Sequence, residues 1–287
     1  MSRIAYVNGR YLPLSQAQVH IEDRGYQFAD GVYEVVPLYR GRLLDEDPHL
    51  DRFDYSLREL QIAPPMSRAA LKLVLRELVR RNGLSDALLY FQATRGVAPR
   101  DHKFPAKTKT AFVATMRRSR PPSAKQIEEG VSVMTTRDIR WERCDIKSLN
   151  LLPNLLAKQQ ATVAGVFEAW LVDDDDNITE GSSTNAWIVT SDGKLVTHDA
   201  GAAILNGITR QRVIKLMEGE GLTFEQRAFS REEAMRAREA FLSSSSSFVL
   251  PITRIDGKPV GEGKPGPMTR RLREIYVAAA LEAPVVI

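Results

Sequence analysis

One lysine of this chain lies among residues that predict burial. Lys147 belongs to the run Arg143-Cys-Asp-Ile-Lys-Ser-Leu-Asn150, whose apolar members predict the end of a buried strand and the approach to a helix. Burial disfavours the charged form of an amine, and a neutral amine is what forms an imine with an aldehyde. A lysine that reaches solvent from a strand end remains the alternative on these residues alone.

A carboxylate follows about thirty residues later, in Ile178-Thr-Glu-Gly-Ser-Ser-Thr-Asn-Ala-Trp187. Glu180 could act beside a reacting group, although a glutamate in a Gly/Ser turn is more often exposed. Further on, Leu205-Asn-Gly-Ile-Thr209 precedes a helix predicted from about Arg210 to Glu220. A helix N-terminus offers free N–H groups to a phosphate, and an ordinary helix cap is the alternative.

The lysine and glutamate segments resemble those of the class IV, D-amino acid aminotransferase-like, pyridoxal-phosphate enzymes. Cys144-Asp-Ile-Lys-Ser-Leu-Asn150 resembles the family's lysine segment, and Ile178–Trp187 resembles its glutamate segment, in the family's order and spacing. The resemblance covers nearly the whole chain. It implies that pyridoxal 5′-phosphate is the cofactor, that Lys147 is the catalytic lysine, and that Glu180 lies next to the pyridine nitrogen.

The same resemblance implies which other residues hold the cofactor. Arg52, in His49-Leu-Asp-Arg-Phe53, matches an arginine that contacts the phosphate; without the resemblance it predicts a solvated helix-face charge. The serine run before Phe248 predicts either a flexible linker or, since apolar strands flank it, a loop lining a polar pocket. The implied cofactor-binding residues are Arg52, Lys147, Glu180, Ser183, Leu205, Ile208, Thr209, Ser244 and Ser245.

Substrate contacts are implied in the first half of the chain. An Arg-x-His at Arg100 and His102, in a loop with two prolines, resembles the feature with which D-amino acid aminotransferases hold a substrate carboxylate in the partner subunit's site. Solvated loop residues are the alternative. The implied substrate-binding residues are Tyr33, Tyr90, Arg100, His102 and Ser246, and the implied assembly is a homodimer.

The periodicity predicts strands and helices in both halves of the chain. Together with the resemblance, it implies an α+β, two-domain fold type IV enzyme, with a small N-terminal α/β sandwich and a larger C-terminal pseudo-barrel. The predicted limits are residues 1–118 for the N-terminal domain, 119–126 for a Pro-containing linker, and 127–287 for the cofactor-binding domain. A helix is predicted over Leu155–Val166.

Composition narrows the class of protein. The chain has 287 residues, 43% hydrophobic and 26% charged, as expected of a globular protein. Its net charge of +4 (40 − 36) comes from scattered basic residues, so nucleic-acid binding has little support. The first residues predict a strand and a turn rather than a signal peptide, and no apolar run predicts a membrane span. A single cysteine, Cys144, favours the cytoplasm. No metal site is predicted.

The predicted function is transfer of an amino group between D-amino acids, such as D-alanine and D-glutamate, and 2-oxo acids, such as pyruvate and 2-oxoglutarate. Arg100-x-His102 and Cys144-Asp-Ile-Lys147 favour this reading. Three activities of the same fold remain alternatives: a branched-chain amino acid aminotransferase, an aminodeoxychorismate lyase and an R-selective amine transaminase. A non-catalytic pyridoxal-phosphate-binding protein is a further alternative, disfavoured by the presence of both Lys147 and Glu180.

Overall fold

The computed structural model describes residues 3–219 and 223–286, and these divide into two compact units. The first unit comprises the described residues of Met1–Arg120, Ile146–Asn150 and Ala280–Ile287. The second comprises the described residues of Pro121–Asp145 and Leu151–Ala279. The chain therefore crosses between the units more than once, and the lysine segment belongs to the first.

The first unit is built on a six-stranded sheet of order β2-β1-β6-β5-β3-β4. Its strands are β1 (Ile4–Val7), β2 (Arg10–Pro13), β3 (Gly31–Tyr39), β4 (Arg42–Leu43), β5 (Ala87–Thr94) and β6 (Ala111–Arg118). Asn8 and Gly9, with φ of 45° and 97°, turn β1 into β2, as the Asn-Gly pair predicts for a tight hairpin. All the pairings in this sheet are antiparallel.

Its helices are α1 (Arg24–Phe28), α2 (Glu46–Glu59) and α3 (Arg68–Asn82). α3 begins where the Ser67 side chain accepts a hydrogen bond from the Ala70 N–H, and it ends at Gly83 with φ of +58°. Apolar residues of α2 and α3 pack with those of the sheet in one core, which includes Leu50, Phe53, Leu75 and Phe91. The rings of Phe53 and Phe91 meet edge to face at 5.1 Å.

The second unit is built on a nine-stranded sheet. Eight strands follow the order β12-β11-β10-β13-β14-β7-β8-β9, and β15 pairs with β14. The strands are β7 (Val131–Arg137), β8 (Glu168–Val172), β9 (Ile178–Gly181), β10 (Asn185–Val189), β11 (Leu195–Thr197), β12 (Phe224–Gln226), β13 (Glu239–Ser244), β14 (Phe248–Ile255) and β15 (Lys258–Pro259).

Its helices are α4 (Ala124–Glu129), α5 (Leu152–Val163), α6 (Ile208–Gly219), α7 (Arg231–Arg236) and α8 (Pro267–Leu281). One apolar cluster gathers β7, β8, β10, β13 and β14 around Trp170 and Phe229. Another packs α6 and α8 with Trp187 and Phe241, whose rings stack at 5.3 Å. Ile178 of β9, two residues before Glu180, belongs to the first of these clusters.

Two observed helices, α4 and α5, differ from the sequence predictions. Part of the predicted linker, residues 119–126, is helical, because Ser123 and Gln126 form a capping box that starts α4. The helix predicted over Leu155–Val166 spans Leu152–Val163 instead, with a proline in its first turn. The predicted end of the helix after Thr209, Glu220, lies outside the described residues.

The lysine segment was predicted to end a buried strand and to lie in the C-terminal domain. It forms no named strand: Ser148 makes a single isolated bridge with Val32. That bridge and the neighbouring backbone hydrogen bonds connect the lysine segment to β3. Residues Ile146–Asn150 therefore belong to the first unit.

Within residues 3–219 and 223–286, no helix combines the length and the apolar character needed to cross a bilayer.

Two leucines on α3 give a matched test of the first core. Leu75 is 1% exposed and Leu73 is 71% exposed. We expect Leu75→Ala to lower the free energy of unfolding by about 2–5 kcal/mol, because it removes buried methyl groups and leaves a cavity. Leu73→Ala should change it by no more than about 0.5 kcal/mol. Urea denaturation followed by circular dichroism measures both, and equal losses would contradict the packing described here.

Candidate active site

The lysine segment is fixed by its backbone. The Tyr33 N–H donates to the Lys147 carbonyl at 3.0 Å, and the Leu149 N–H donates to the Gly31 carbonyl at 2.9 Å. The Lys147 N–H donates to the Ser56 hydroxyl of α2 at 3.2 Å. A Cβ on Gly31 would lie 2.6 Å from the Ala93 carbonyl oxygen and 2.8 Å from a Leu149 methyl, so only glycine fits here. Strand β3 and helix α2 together hold Lys147 in place.

The Lys147 amine lies against a tyrosine. Its Nζ is 3.3 Å from the Tyr33 hydroxyl oxygen and 4.3 Å from the Tyr33 ring centre. Tyr33 stacks on Tyr90 of β5, with ring centres 5.7 Å apart, because the two occupy diagonal positions on one face of the β3–β5 pair. Burial raises the pKa of Tyr90 to about 12, helped by the neighbouring Tyr33, and its hydroxyl donates to Gln92. The predicted residues Tyr33, Tyr90 and Lys147 thus lie together.

The other face of β3 carries a buried ion cluster. The Arg52 guanidinium, on α2, binds both carboxylate oxygens of Glu34, at 2.7 and 2.9 Å, and His49 Nδ1 is 2.7 Å from the same carboxylate. Burial alone would raise the pKa of Glu34, but the Arg52 and His49 charges hold it well below its usual range. Burial lowers the pKa of His49 despite the Glu34 charge. Arg52 is therefore an almost fully buried cation rather than a solvated one.

Arg100 and His102 meet at one aromatic ring. The Arg100 guanidinium carbon lies 4.5 Å from the centre of the Phe28 ring, and the His102 ring centre lies 5.7 Å from it. Arg100 and His102 are both exposed. The Arg24 guanidinium carbon lies 4.8 Å from the same ring, and its Nη1 donates to the Asp101 carbonyl at 2.6 Å. Helix α1 thus holds the loop on which the Arg-x-His pair stands.

A carboxylate anchors that helix to the sheet. Asp30 accepts hydrogen bonds from Arg24 at 2.7 Å and from Arg95 at 2.8 and 3.0 Å. Arg95 also donates to the carbonyls of Leu60 and Gln61. Since both arginines are buried, their common partner Asp30 stabilises the start of the loop through charge-assisted hydrogen bonds.

Glu180 is the last residue but one of β9 in the second unit, and its carboxylate is held from several directions. Oε1 accepts a hydrogen bond from the Leu205 N–H at 3.1 Å, and Oε2 accepts one from Asn185 Nδ2 at 3.0 Å. The Arg140 guanidinium also pairs with Oε1. Glu180 and Leu205, both predicted from the sequence as cofactor-binding residues, are thus in direct contact.

Arg140 links Glu180 to a second carboxylate. Its Nε and Nη2 donate to Asp138 at 2.9 and 2.7 Å, and Nη2 also contacts the Ala203 carbonyl at 3.1 Å. Burial alone would lower the pKa of Arg140, but the Glu180 and Asp138 charges raise it. Burial opposes ionisation of Asp138 as well, yet the Arg140 hydrogen bonds hold its pKa below the usual value. Arg140 therefore favours the ionised form of Glu180.

The segment from Leu205 to Thr209 leads into α6. Asn185 Nδ2 donates to the Leu205 carbonyl at 2.9 Å, so one amide binds both Glu180 and this segment. A Cβ on Gly207 would lie 2.1 Å from Asn185 Oδ1, which explains the need for glycine there. Ile208 and Thr209 are buried in the first turn of α6, where backbone N–H groups have no partner within the helix. This is suitable chemistry for binding an anion.

The remaining predicted hydroxyl residues lie in two turns. The Ser183 hydroxyl donates to the buried carboxylate of Glu168 at 3.1 Å, which uses its one proton and leaves only its lone pairs for another partner. Ser244 and Ser246 have hydroxyl oxygens 3.3 Å apart in the hairpin between β13 and β14. Ser245 lies between them at the turn. The serine run is therefore a short hairpin turn, not a flexible linker.

Several residues of this arrangement escaped the sequence analysis. Arg140, Asn185, Glu34, His49 and Asp30 were not assigned any role. Asn185 stands within the quoted glutamate segment, five residues after Glu180, and could have been suspected from that position. Nothing local distinguishes Arg140 from other surface-like arginines, because its partner Glu180 is forty residues away.

Three comparisons place the chain among known proteins. The family model for class IV aminotransferases matches residues 31–255. The D-alanine aminotransferase of Bacillus licheniformis is 44% identical over 266 residues, which is 93% of each chain. That of Staphylococcus haemolyticus is 40% identical over 269 residues, 94% of this chain and 95% of the other. The chain belongs to the class IV aminotransferases.

Solved structures give the same answer for the fold. The branched-chain amino acid aminotransferase of Escherichia coli aligns with a TM-score of 0.91 and 24% identity, over 97% of this chain and 94% of that one. The holo form of the branched-chain amino acid aminotransferase of Thermobaculum terrenum, solved with pyridoxal phosphate, aligns with a TM-score of 0.84 and 26% identity, over 98% and 94%. The predicted α+β, two-domain fold of this enzyme class is confirmed.

Family membership makes pyridoxal phosphate the cofactor, and the residues present fit it. The first unit supplies a primary amine, Lys147, beside a phenol. In the second unit, by itself, the Glu180 carboxylate is bound by the Leu205 N–H, and this segment leads into the α6 N-terminus, which is suitable chemistry for an anion. Among the described residues, no group of three or more His, Cys, Asp or Glu side chains could hold a metal ion.

Arg140 and Arg143 are neighbouring arginines that differ in burial. The Arg140 side chain, 6% exposed, pairs with Asp138 and Glu180, and Arg143, 43% exposed, pairs with Asp145. We expect Arg140→Met to lower the free energy of unfolding by about 3–5 kcal/mol, because it leaves buried carboxylates without their cation. Arg143→Met should cost no more than about 1 kcal/mol. Thermal and urea denaturation measure the difference, and similar losses would refute the special position of Arg140.

Proposed function

We propose that this protein is a D-amino acid aminotransferase that moves an amino group between D-alanine or D-glutamate and 2-oxo acids. The observation that carries the proposal is 40–44% identity, over more than nine-tenths of both chains, to relatives named D-alanine aminotransferases. The Arg100-x-His102 loop gives a physical reason for that substrate class, since an amino acid presents a carboxylate that a guanidinium binds through two parallel hydrogen bonds.

Each functional residue has a chemical role in this proposal. Bound pyridoxal phosphate supplies an aldehyde that reacts with amines and a ring that accepts electrons from the substrate α-carbon. Lys147 holds the cofactor covalently and, once released, carries a proton to and from the α-carbon at Nζ. Tyr33 lies within hydrogen-bonding distance of that nitrogen and limits where it moves.

Glu180 is the proposed partner of the pyridine nitrogen. A carboxylate there keeps that nitrogen protonated, and Arg140 and Asn185 hold the carboxylate ionised and correctly oriented. Thr209, Ile208 and the α6 N-terminus are the proposed phosphate ligands, together with Arg52. The proposed cofactor set also includes Leu205, Ser183, Ser244 and Ser245. For Ser183, the hydroxyl already donates to Glu168, so its backbone N–H is the better donor.

The proposed substrate set is Tyr33, Tyr90, Arg100, His102 and Ser246. Lys147 acts from one face, so the side on which the carboxylate is bound decides which enantiomer presents its α-hydrogen to the amine. Phe28 keeps Arg100 and His102 next to each other, and between them they offer several N–H donors to a carboxylate.

We further propose a homodimer in which this loop reaches the partner's site. Support comes from exposed apolar side chains on the α1 segment and the loop that bridges to it, namely Val19, Ile21, Tyr26, Val97 and Phe104. Contiguous exposed apolar residues are typical of protein–protein contacts. Cytoplasmic location is also proposed, because the chain has one cysteine and no disulfide to protect.

A branched-chain amino acid aminotransferase is the second candidate, favoured by the similarity of fold to such enzymes. The two functions differ in the enantiomer that reacts. A panel of D- and L-amino acids with 2-oxoglutarate or pyruvate distinguishes them: turnover of D-alanine well above L-leucine and L-alanine supports the proposal, and the reverse order supports the second candidate.

Lys147 gives the most direct test of the chemistry. We expect the purified parent protein to be yellow and Lys147→Ala to lose both the visible absorption band of the lysine imine and measurable turnover of D-alanine. Lys125→Ala, which removes an exposed lysine side chain on α4, is the control and should keep both. Turnover by the Lys147→Ala protein near the parent rate would exclude the assignment.

Binding of the substrate carboxylate by Arg100 and His102 predicts a loss of activity that is selective for substrates with a carboxylate. Replacing both Arg100 and His102 by alanine should lower kcat/KM for D-alanine, mostly by raising KM, because charge-assisted contacts to the carboxylate are lost. The loss should correspond to an increase of roughly 2–4 kcal/mol in activation free energy. Small amines without a carboxylate should be affected much less. Steady-state kinetics with both substrate types measure this, and an equal loss for both would assign the loop a structural role.

A mixed dimer tests from which subunit Arg100 acts. An Arg100→Ala chain is combined with a Lys147→Ala chain. If the loop acts in the partner's site, one site receives both defects and the other neither, so about half of the parental activity per dimer should return. An inactive mixed dimer would place Arg100 in its own chain's site or away from any site.

A further inference from the structure

Arg210 is a buried arginine on the first turn of α6 without a carboxylate partner. It is 1% exposed. Its Nη2 donates to the His198 carbonyl at 2.7 Å and to Gln226 Oε1 at 2.8 Å, and its Nη1 donates to Asn206 Oδ1 at 3.1 Å. All three acceptors are neutral, and the buried Nε has no hydrogen-bond partner in the described part of the chain.

The other buried arginine side chains described above each have a carboxylate partner. Arg52 binds Glu34, Arg140 binds Asp138 and Glu180, and Arg24 and Arg95 share Asp30. For Arg210, no carboxylate of the described residues lies within ion-pair distance. Asp199 and Glu180 act on it only at longer range, and burial lowers its pKa to about 10. It still carries its charge at neutral pH, so a desolvated cation lacks a counter-ion.

The position of Arg210 increases this imbalance. It directly follows Thr209, and its guanidinium binds Asn206, so it is tied to both ends of the Leu205–Thr209 segment. The N-terminus of a helix already carries a partial positive charge. A buried guanidinium in the same turn adds to that potential instead of cancelling it, which favours an anion at this place.

We propose that Arg210 is a positioning residue for the cofactor phosphate: it fixes the Leu205–Thr209 segment through Asn206, and its unneutralised charge is completed by the phosphate dianion. This inference rests on the proposed use of Thr209 and the α6 N-terminus as the phosphate site. It differs from a direct contact, because the guanidinium is occupied with His198, Asn206 and Gln226. The charge acts over a longer distance in a poorly hydrated region, where electrostatic effects are larger than in water.

The test compares two ligands that share every feature except the phosphate. Pyridoxal 5′-phosphate and pyridoxal both offer an aldehyde to Lys147, and their dissociation constants are measured on the apoenzyme by absorbance and by fluorescence quenching. Arg210→Gln keeps hydrogen-bonding groups and removes the charge. We expect it to weaken pyridoxal 5′-phosphate about tenfold or more and to leave pyridoxal binding within about twofold.

Two further variants separate charge from structure. Arg210→Lys keeps the charge and should hold the preference for pyridoxal 5′-phosphate within about threefold of the parent. Arg212→Met is the matched control, since Arg212 lies on the same helix and donates to the Ala279 carbonyl; both dissociation constants should stay at the parental values. Circular dichroism and melting of each apoenzyme establish that the variants are folded.

Several outcomes overturn the inference. Equal weakening of both ligands by Arg210→Gln makes Arg210 purely structural, and unchanged binding of both removes any role for its charge. If Arg210→Gln does not fold, Arg210→Lys decides: a loss of the parental preference for the phosphorylated ligand contradicts the proposal. Failure of the proposed function would be seen in the parent protein instead. That protein would then either not bind pyridoxal 5′-phosphate, or bind it without transaminating D-alanine.

Discussion

The pairing of the lysine segment with strand β3 is the constraint on which the chemistry depends. Tyr33 of β3 donates a backbone hydrogen bond to Lys147, Leu149 donates one to Gly31 of β3, and the Lys147 N–H donates to the Ser56 hydroxyl, so the main chain is fixed at Lys147. The amine at the end of the side chain lies beside the Tyr33 hydroxyl. A lysine held by its backbone keeps its amine near one place, which is what both covalent attachment and proton transfer require.

Strand β3 serves two purposes because its side chains alternate. Tyr33 faces the Lys147 amine, whereas Glu34, the next residue, faces α2 and binds Arg52 and His49. The same helix supplies Ser56, one turn after Arg52, to the Lys147 backbone. Helix α2 therefore contacts both the Glu34 carboxylate and the backbone of Lys147.

Three of the carboxylates described above are held by buried arginine side chains. Glu34, Asp30 and Glu180 all have guanidinium partners, and for Glu34 the Arg52 charge holds the pKa well below its usual range despite burial. Arg210 is the exception, a cation bound only by neutral groups. That contrast separates charges that stabilise the protein by themselves from one suited to an anionic ligand.

The sequence by itself predicted several of the elements and singled out the candidate site residues. Periodicity predicted the helices after Leu151 and Thr209, Asn8-Gly9 predicted a tight turn, and two short segments that resemble those of the family singled out Lys147 and Glu180. Such signals are local, so neighbouring residues reveal them. Only the tertiary structure decided that residues 146–150 group with the first unit, that Arg52 is buried against Glu34, and that Arg140 pairs with Glu180. These depend on partners 18 to 40 residues apart, or on packing between distant strands. A chain's local pattern fixes neither, because long-range contacts form only when the whole fold brings the residues together.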